Sequence, residues 1–414
     1  MLKKFSYLFL MLILILGLVS CTLFNSQDEI AHYYYVYELE QGEVVANASQ
    51  SQGKIAVVTH LNNIREYENV ILLTVPDSWS WSRASSLQEE ISSLTEEIIE
   101  NEEIKVLIVS GGAASYYLVS GVKAQRDDIF VIYTSADSVL SRENESLIAM
   151  VDLTLDINRN MLIYSIIEQA KNLGAENFVA FVYDRTLKYD FDPDNFAEDE
   201  WEVEFIEEVN RIRARVEGIG LNFVEVRYAG IGCMSDLAQY MIDTMPGLVE
   251  ELGVNTAFWG LGDDRLLWDA VARGTIYPSP FFDPSIYRLA FELYIPSLDE
   301  ITRSFDQFFH RDNLRFVIEE IRNHLAERGM TGRVSSWPVN VNDMFVYAAI
   351  EYGFMLISDE VSAENVDILV LTQIMDDYIY RYTGESGLGV MGMFADSESY
   401  APNHILFLMN FLVY

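Results

Sequence analysis

Aromatic and polar side chains follow several short apolar runs of this sequence, where they could hold a small ligand. Trp79 and Trp81 stand among serines just after the apolar run 70–75. Indole rings stack on flat ligand faces and serine hydroxyls donate hydrogen bonds, which suits a sugar or a heteroaromatic ring. Both tryptophans could instead pack beneath their loop. The pair therefore indicates either a stacking platform or a packed loop.

Further candidates stand where other apolar runs end. Ser110 and Gly111 precede a predicted helix, so backbone N–H groups there could hold a polar or anionic group, although a tight turn also needs glycine. Tyr133 ends the next run. Asp156 and Asn158 precede another predicted helix and could contact a ligand or cap that helix, and Asn158 suits the cap better.

A second set of candidates lies further along the chain. Asp184 and Arg185 follow the apolar run 178–183 and could bind a ligand or pair with each other. Trp259 is followed by two glycines and then by Asp263 and Asp264, whose carboxylates could accept hydrogen bonds from hydroxyls or amines. The two aspartates could equally cap the next helix.

Known catalytic and metal-binding motifs do not occur in the sequence. No GxSxG, HExxH or Walker loop is present. Asp190, Asp192 and Asp194 have the spacing that begins a calcium loop, but Asn195 and Trp201 occupy its sixth and twelfth positions. The sequence has five scattered histidines and two cysteines, so it offers few ligands for a zinc site. The sequence predicts a protein that is not an enzyme and holds no metal or cofactor.

The chain is long, apolar and strongly acidic. Its 414 residues are 50% hydrophobic, which is enough for a large core and for two or three domains. The formal net charge is −37. Such a charge repels nucleic acid and anionic lipid headgroups, so we expect no nucleic-acid partner.

The first 21 residues have the pattern of a bacterial lipoprotein signal. Lys3 and Lys4 precede the apolar segment 5–17, which is too short to span a bilayer comfortably, and the sequence Leu-Val-Ser-Cys ends at Cys21. We expect cleavage before Cys21 and acylation of that residue, including palmitate. An ordinary secretory signal or an anchor helix is the alternative. If Cys21 carries lipid, Cys233 has no partner for a disulfide within the chain.

Strands and helices alternate along the rest of the chain and must position the candidates. Continuous β-branched apolar runs predict strands at 54–59, 70–75, 105–110, 129–133, 178–183, 222–227 and 255–259. Helical periodicity is found at 85–103, 160–173, 201–217, 235–252 with an interruption near Pro246, 301–329 and 343–352. The run 404–413 predicts a final strand. The pattern predicts an α/β fold with two doubly wound, mostly parallel-sheet lobes joined by a hinge.

These elements divide into an expected domain plan. Residues 1–20 form the signal peptide and 21–52 a tether with a possible strand at Tyr33–Tyr37. The first lobe is expected to comprise 53–157 and about 284–356. The second is expected to comprise 158–283 and about 357–414.

This domain plan resembles that of the solute-binding lipoproteins of bacterial ABC transporters, which have the type I periplasmic-binding fold. Three segments resemble one uncharacterised lipoprotein family on that fold: VDLTLDINRNMLIYSIIEQAKNLGAENFVAF (151–181), FWGLGDDRLLWDAVAR (258–273) and IYPSPFFDP (276–284). The resemblance covers about 53–360 and implies a ligand cleft. Arg185 aligns with an arginine of a strand-end motif in that family. Only residues 60–69 join the first two strands, where the family has a full helix, so a truncated crossover or a hairpin is expected.

These observations predict a function outside the cytoplasm. We expect a protein anchored to the cell membrane by acyl chains, in the periplasm or at the cell surface, that captures a small polar ligand such as a sugar or nucleoside for a transporter permease. The alternative is a surface interaction or sensor lipoprotein whose cleft no longer serves transport.

Overall fold

The computed structural model describes a large part of the predicted α/β region. The described residues are 53–59, 67–75, 79, 87–112, 114–135, 146–183, 209–228, 234–259, 270–279, 314–395 and 403–414. The predicted signal peptide, the tether and the candidates Cys21, Trp81, Asp184, Arg185, Asp263 and Asp264 lie outside them. Within these ranges, no helix has the length and apolar character needed to span a membrane.

Strands and helices alternate along the described chain, as the sequence predicts. The strands are β1 (Lys54–Thr59), β2 (Val70–Thr74), β3 (Ile104–Ser110), β4 (Phe130–Ser135), β5 (Leu153–Ile157), β6 (Asn177–Tyr183), β7 (Asn222–Tyr228), β8 (Thr256–Trp259), β9 (Tyr277–Pro278), β10 (Val334–Ser336), β11 (Val390–Phe394), β12 (His404–Met409) and β13 (Leu412–Val413). The helices are α1 (Gln88–Glu100), α2 (Ala114–Lys123), α3 (Arg159–Asn172), α4 (Met234–Leu252), α5 (Leu314–Glu327), α6 (Val341–Ile357) and α7 (Ile368–Thr383), and residues 209–218 are also helical.

The largest sheet has seven strands in the order β11-β12-β5-β4-β3-β1-β2. Its strands are parallel from β2 to β12, and β11 is antiparallel at one edge. Since β1 and β2 pair in parallel, the hairpin expected as one alternative for this segment is wrong. The ten residues 60–69 therefore connect two parallel strands, which is fewer than a crossover with a helix normally has.

Two smaller sheets accompany the large one. The order of the second sheet is β7-β6-β8, with β6 parallel to both neighbours. The third sheet has the order β13-β10-β9, with β10 parallel to β9 and antiparallel to β13. Helices connect the parallel strands, so the predicted α/β class with mostly parallel sheets is confirmed.

Helices cover both faces of the large sheet, which explains why its strands are continuous apolar runs. Ile55 and Val57 belong to one core cluster, which includes α6 residues, while Ala56 and Val58 belong to another that includes α1 and α2 residues. Successive side chains of a strand point to opposite faces, so one run supplies both cores.

The chain passes between the large sheet and the two smaller sheets at three described places. These lead from β5 through α3 to β6, from β10 through α6 and α7 to β11, and from β12 to β13. The predicted assignment of about 357–414 to the second lobe is wrong for β11 and β12, which lie in the large sheet. The assignment of about 284–356 to the first lobe is wrong for α5 and β10, which share a core cluster with β6 and β8. Apolar periodicity predicts a strand but does not specify its partner.

Helix α4 continues through Pro246, where the sequence predicted an interruption. Proline lacks a backbone N–H and normally kinks or breaks a helix interior. In α4, Met241 and Met245 on the preceding turns are fully buried in the core cluster beside the second sheet. Tertiary packing of this apolar face outweighs the local cost of the proline.

A buried carboxyl group lies in the interface between α6 and α7. Glu351 is buried and its Oε1 has no hydrogen-bond partner among the described residues. Burial raises the pKa of Glu351 well above its ordinary value of 4.5; the charge of Arg381 opposes this rise and that of Asp377 adds to it. The Tyr347 and Tyr378 rings contact each other nearby on the two helices, with centroids 4.8 Å apart. The folded state therefore favours the neutral carboxyl.

We predict that Glu351→Gln stabilises the protein at neutral pH. Because the folded-state pKa is raised, the unfolded state loses its proton first, and wild-type stability falls as pH rises above about 4.5. The variant should lack this part of the pH dependence, so its advantage in melting temperature should grow between pH 4.5 and 8. The exposed Glu97→Gln provides the control. Parallel pH profiles for wild type and Glu351→Gln would contradict the prediction.

Candidate functional site

Hydroxyl groups and one carboxylate collect at the carboxyl ends of the large sheet. Thr59, Ser110 and Thr134 stand at or near the ends of β1, β3 and β4, and Asp156 near the end of β5. Parallel strands end at one edge, so all four residues lie at that edge of the sheet. Thr134 is the register partner of Ser110 and shares its face, whereas Asp156 follows the partner of Thr134 and points to the other face. The Ser110 hydroxyl donates to the Thr59 Oγ1 at 2.6 Å, and both residues are buried. Ser110 is thus hydrogen-bonded within the protein.

The turn from β3 to α2 depends on its glycines. Gly111 and Gly112 have φ angles of 63° and 84°, in the left-handed region that side chains other than glycine rarely adopt. The Gly111 N–H donates to the Thr134 carbonyl at 3.1 Å, and the Ser115 hydroxyl donates to the Gly111 carbonyl. The Gly111 N–H is therefore not available to a ligand, and the predicted use of this amide is wrong.

Trp79 packs in the core, so it is not an exposed stacking platform. Its side chain is 0% exposed and belongs to the core cluster between the sheet and helices α1 and α2. Its Nε1–H donates to the Ser115 Oγ at 3.2 Å. Tyr133 lies in the same cluster and its ring is also fully buried. Both rings therefore serve packing, and neither offers an exposed stacking face.

Asp156 contacts a histidine that the sequence did not single out as a ligand residue. Its Oδ1 accepts a hydrogen bond from the Ile157 N–H at 2.7 Å, and its Oδ2 lies 3.5 Å from the His404 Nε2. Both Asp156 and His404 are buried. His404 begins β12, and no local pattern connects it with β5. The side chain of Asn158 caps α3 by accepting from the Met161 N–H at 3.0 Å, which confirms the capping interpretation.

The second sheet places one described candidate at a strand end. Trp259 ends β8, is partly buried and packs against the core cluster shared with α3. At the end of β7, the Tyr228 ring contacts Tyr240 of α4 with centroids 4.9 Å apart. Asp184, Arg185, Asp263 and Asp264 lie outside the described residues, so their roles stay predictions. In the described ranges, no group of three or more histidine, cysteine or acidic side chains could hold a metal ion.

Residues 41–335 match the family described as "Protein of unknown function (DUF3798)". This chain belongs to that family. No curated protein matches the sequence.

One solved structure has a similar overall fold, and two others align over most of this chain with lower scores. A proposed transcriptional regulator from Clostridium difficile 630 is 18% identical with a TM-score of 0.63, over 88% of this chain and 99% of its own. A sugar ABC transporter protein from Actinomyces odontolyticus is 12% identical with a TM-score of 0.40, over 87% and 95%. A 5-methylthioribose transporter solute-binding protein from Thermotoga lettingae is 13% identical with a TM-score of 0.37, over 81% and 95%.

We predict that Trp79→Ala destabilises the protein without any ligand present. The substitution removes a fully buried indole and its hydrogen bond to Ser115, and it should lower the free energy of unfolding by about 3–5 kcal/mol. Urea denaturation measures this loss. Trp79→Phe is the matched control and should cost less, because most of the ring volume remains. Unchanged stability in Trp79→Ala would show that the indole does not pack as described.

Proposed function

We propose that this protein is a lipid-anchored solute-binding protein outside the cytoplasm, which captures a small polar ligand for an ABC-type transporter permease. The cluster of polar groups at the carboxyl edge of the large parallel sheet is the observation that carries the proposal. In open α/β sheets, ligands bind beyond the carboxyl ends of the strands. Asp156 offers a buried carboxylate at that edge. Binding without turnover agrees with the missing catalytic motifs.

The second sheet would supply the opposite side of the ligand site. Trp259, Asp184, Arg185, Asp263 and Asp264 all follow or end strands of that sheet in the sequence. The described chain crosses between the sheets three times, which supports a hinge. A ligand stabilises a closed state only if it interacts better with that state than with the open one. Recognition would therefore need groups from both sheets.

We predict that at least one small polar compound raises the melting temperature of the full-length protein in detergent. Binding to the folded state alone stabilises it by about 2.7 kcal/mol when the ligand is at 100 times its dissociation constant. A panel of sugars, nucleosides and amino acids should therefore contain a compound that shifts the transition by several degrees. The same panel with Asp156→Ala is the comparison, since this variant should lose the shift. A panel without any stabilising compound would contradict transport.

Membrane attachment is proposed to come from acyl chains on Cys21. The acidic surface repels anionic headgroups, so a basic patch does not account for attachment. Each buried methylene of an acyl chain contributes about 0.8 kcal/mol, and stable anchoring requires more than one membrane signal. An acylated cysteine at the mature N-terminus meets this requirement.

We predict that Cys21→Ala moves the protein out of the membrane fraction. Without the thiol there is no acceptor for the lipid, so labelled palmitate should not be incorporated and the protein should partition into the aqueous phase of a Triton X-114 separation. Cys233→Ala is the control and should retain the label. Palmitate incorporation that persists in Cys21→Ala would overturn the lipoprotein assignment.

A surface interaction or sensor role is the second candidate function. Polar groups at the strand ends are already paired within the protein: Ser110 with Thr59, the Gly111 N–H with Thr134, and Trp79 with Ser115. Groups that are satisfied internally gain less from a ligand. The connection of only ten residues between β1 and β2 also leaves little chain for a ligand loop after β1. If no compound of the ligand panel raises the melting temperature, the result favours this role over solute capture.

A further inference from the structure

A row of polar side chains crosses the interior of the large sheet. Tyr133 of β4, Thr154 of β5 and His404 of β12 are register partners on three neighbouring parallel strands, so their side chains lie on one face. Asp156, two residues after Thr154, points to that same face. All four residues are more than nine-tenths buried.

The opposite face of β5 is apolar. Leu153, Leu155 and Ile157 of β5 alternate with the polar pair and belong to the core cluster that includes α3 and α6 residues. Tyr133 belongs instead to the cluster formed with α1 and α2. The polar row therefore lies on the side of the sheet that α1 and α2 cover, and it extends across β4 and β5 to β12.

The side-chain hydroxyl of one member of the row has no hydrogen-bond partner among the described residues. The Thr154 Oγ1 is fully buried and unpaired, although burial of an unpaired hydroxyl is costly. The Asp156 Oδ2 lies 3.5 Å from the His404 Nε2, which is longer than the usual 2.7–3.2 Å of a hydrogen bond with a nitrogen donor. This oxygen therefore retains capacity for a further donor beside the unpaired hydroxyl.

We propose that Thr154, Asp156 and His404 form part of the ligand site and that the ligand is a neutral sugar or polyol; this inference rests on the proposed solute-binding function. A hydroxyl group both donates and accepts. One ligand hydroxyl can donate to the Asp156 carboxylate and accept from the Thr154 hydroxyl, next to the His404 imidazole. The ligand would thereby supply the hydrogen bond that the buried Thr154 hydroxyl lacks.

The charges around the row favour a neutral ligand over an amino acid. Lys123 of α2 approaches this side of the sheet, but its Nζ is 2.5 Å from the Asp152 Oδ2 and donates to the Ile129 carbonyl at 2.9 Å. This ammonium group is therefore not available to a ligand carboxylate. Asp156 itself would repel an anion, since its carboxylate is the charged group that faces the site.

The position of the row also suits a site that opens at a hinge. Asp156 lies two residues before Asn158, where the chain leaves the large sheet and enters α3. The Asn158 N–H donates to the Phe407 carbonyl of β12 at 2.8 Å, so β5 and β12 remain joined at this crossing. Rotation at the crossing would expose or enclose the Asp156 end of the row.

The decisive experiment compares Thr154→Val with Thr256→Val in the full-length protein in detergent. Calorimetric titration with D-ribose, D-glucose and D-mannitol measures affinity, and thermal unfolding measures stability. Thr154→Val replaces an unpaired hydroxyl with a methyl group, so it should raise the melting temperature by about 1–2 °C while weakening sugar or polyol binding at least tenfold. Thr256 is equally buried, but its hydroxyl donates to the Gly253 carbonyl at 2.7 Å. Thr256→Val should therefore lose stability and keep the wild-type affinity.

The remaining outcomes separate this inference from the proposed function. Sugar or polyol binding that Thr154→Val leaves unchanged overturns the site, and so does a lowered melting temperature in that variant. Binding of L-glutamate, L-lysine or adenosine in place of the neutral panel overturns the ligand class while solute binding stands. Failure of every compound to bind the wild type overturns both the inference and the proposed function.

Discussion

The parallel pairing of β12 with β5 is the interaction on which the rest of the architecture depends. It adds the end of the chain to the large sheet, and β11 follows it to the edge. Without β12, β5 would expose a row of backbone donors and acceptors. The same pairing sends the chain onward into β13, which joins β10 beside the second sheet. One strand therefore completes the first sheet and connects it to the other.

Buried polar groups in this fold differ in how fully the protein satisfies them. Ser110 and Thr59 bond each other, and Trp79 bonds Ser115, so these groups stabilise the turn after β3. Thr154 and Glu351 each retain a buried oxygen without a partner among the described residues. A carboxyl group can become neutral to reduce this cost, whereas a hydroxyl cannot. Glu351 therefore favours its protonated form, whereas the Thr154 hydroxyl still lacks a partner, which we propose to be a ligand hydroxyl.

The family has no known function, so the activity must be inferred from the residues of the site. Doubly wound α/β folds carry many unrelated functions, so the fold alone does not name a ligand. The strong negative charge and the cysteine of the signal pattern support the proposed location, whereas the polar row on β5 and β12 supports the proposed ligand class. These two lines of reasoning use different residues and are open to separate tests.

The sequence by itself determined the class of the fold and most strand positions, because continuous β-branched runs between helices require parallel strands buried on both faces. It also indicated that Asn158 caps the following helix, although it predicted no strand at 153–157. It did not determine that Trp79 is buried, that β12 joins β5, or that His404 lies beside Asp156. Local periodicity specifies an element and its buried faces. Strand partners and contacts between distant residues depend on the energy of the whole packed core, so only the tertiary structure decided them.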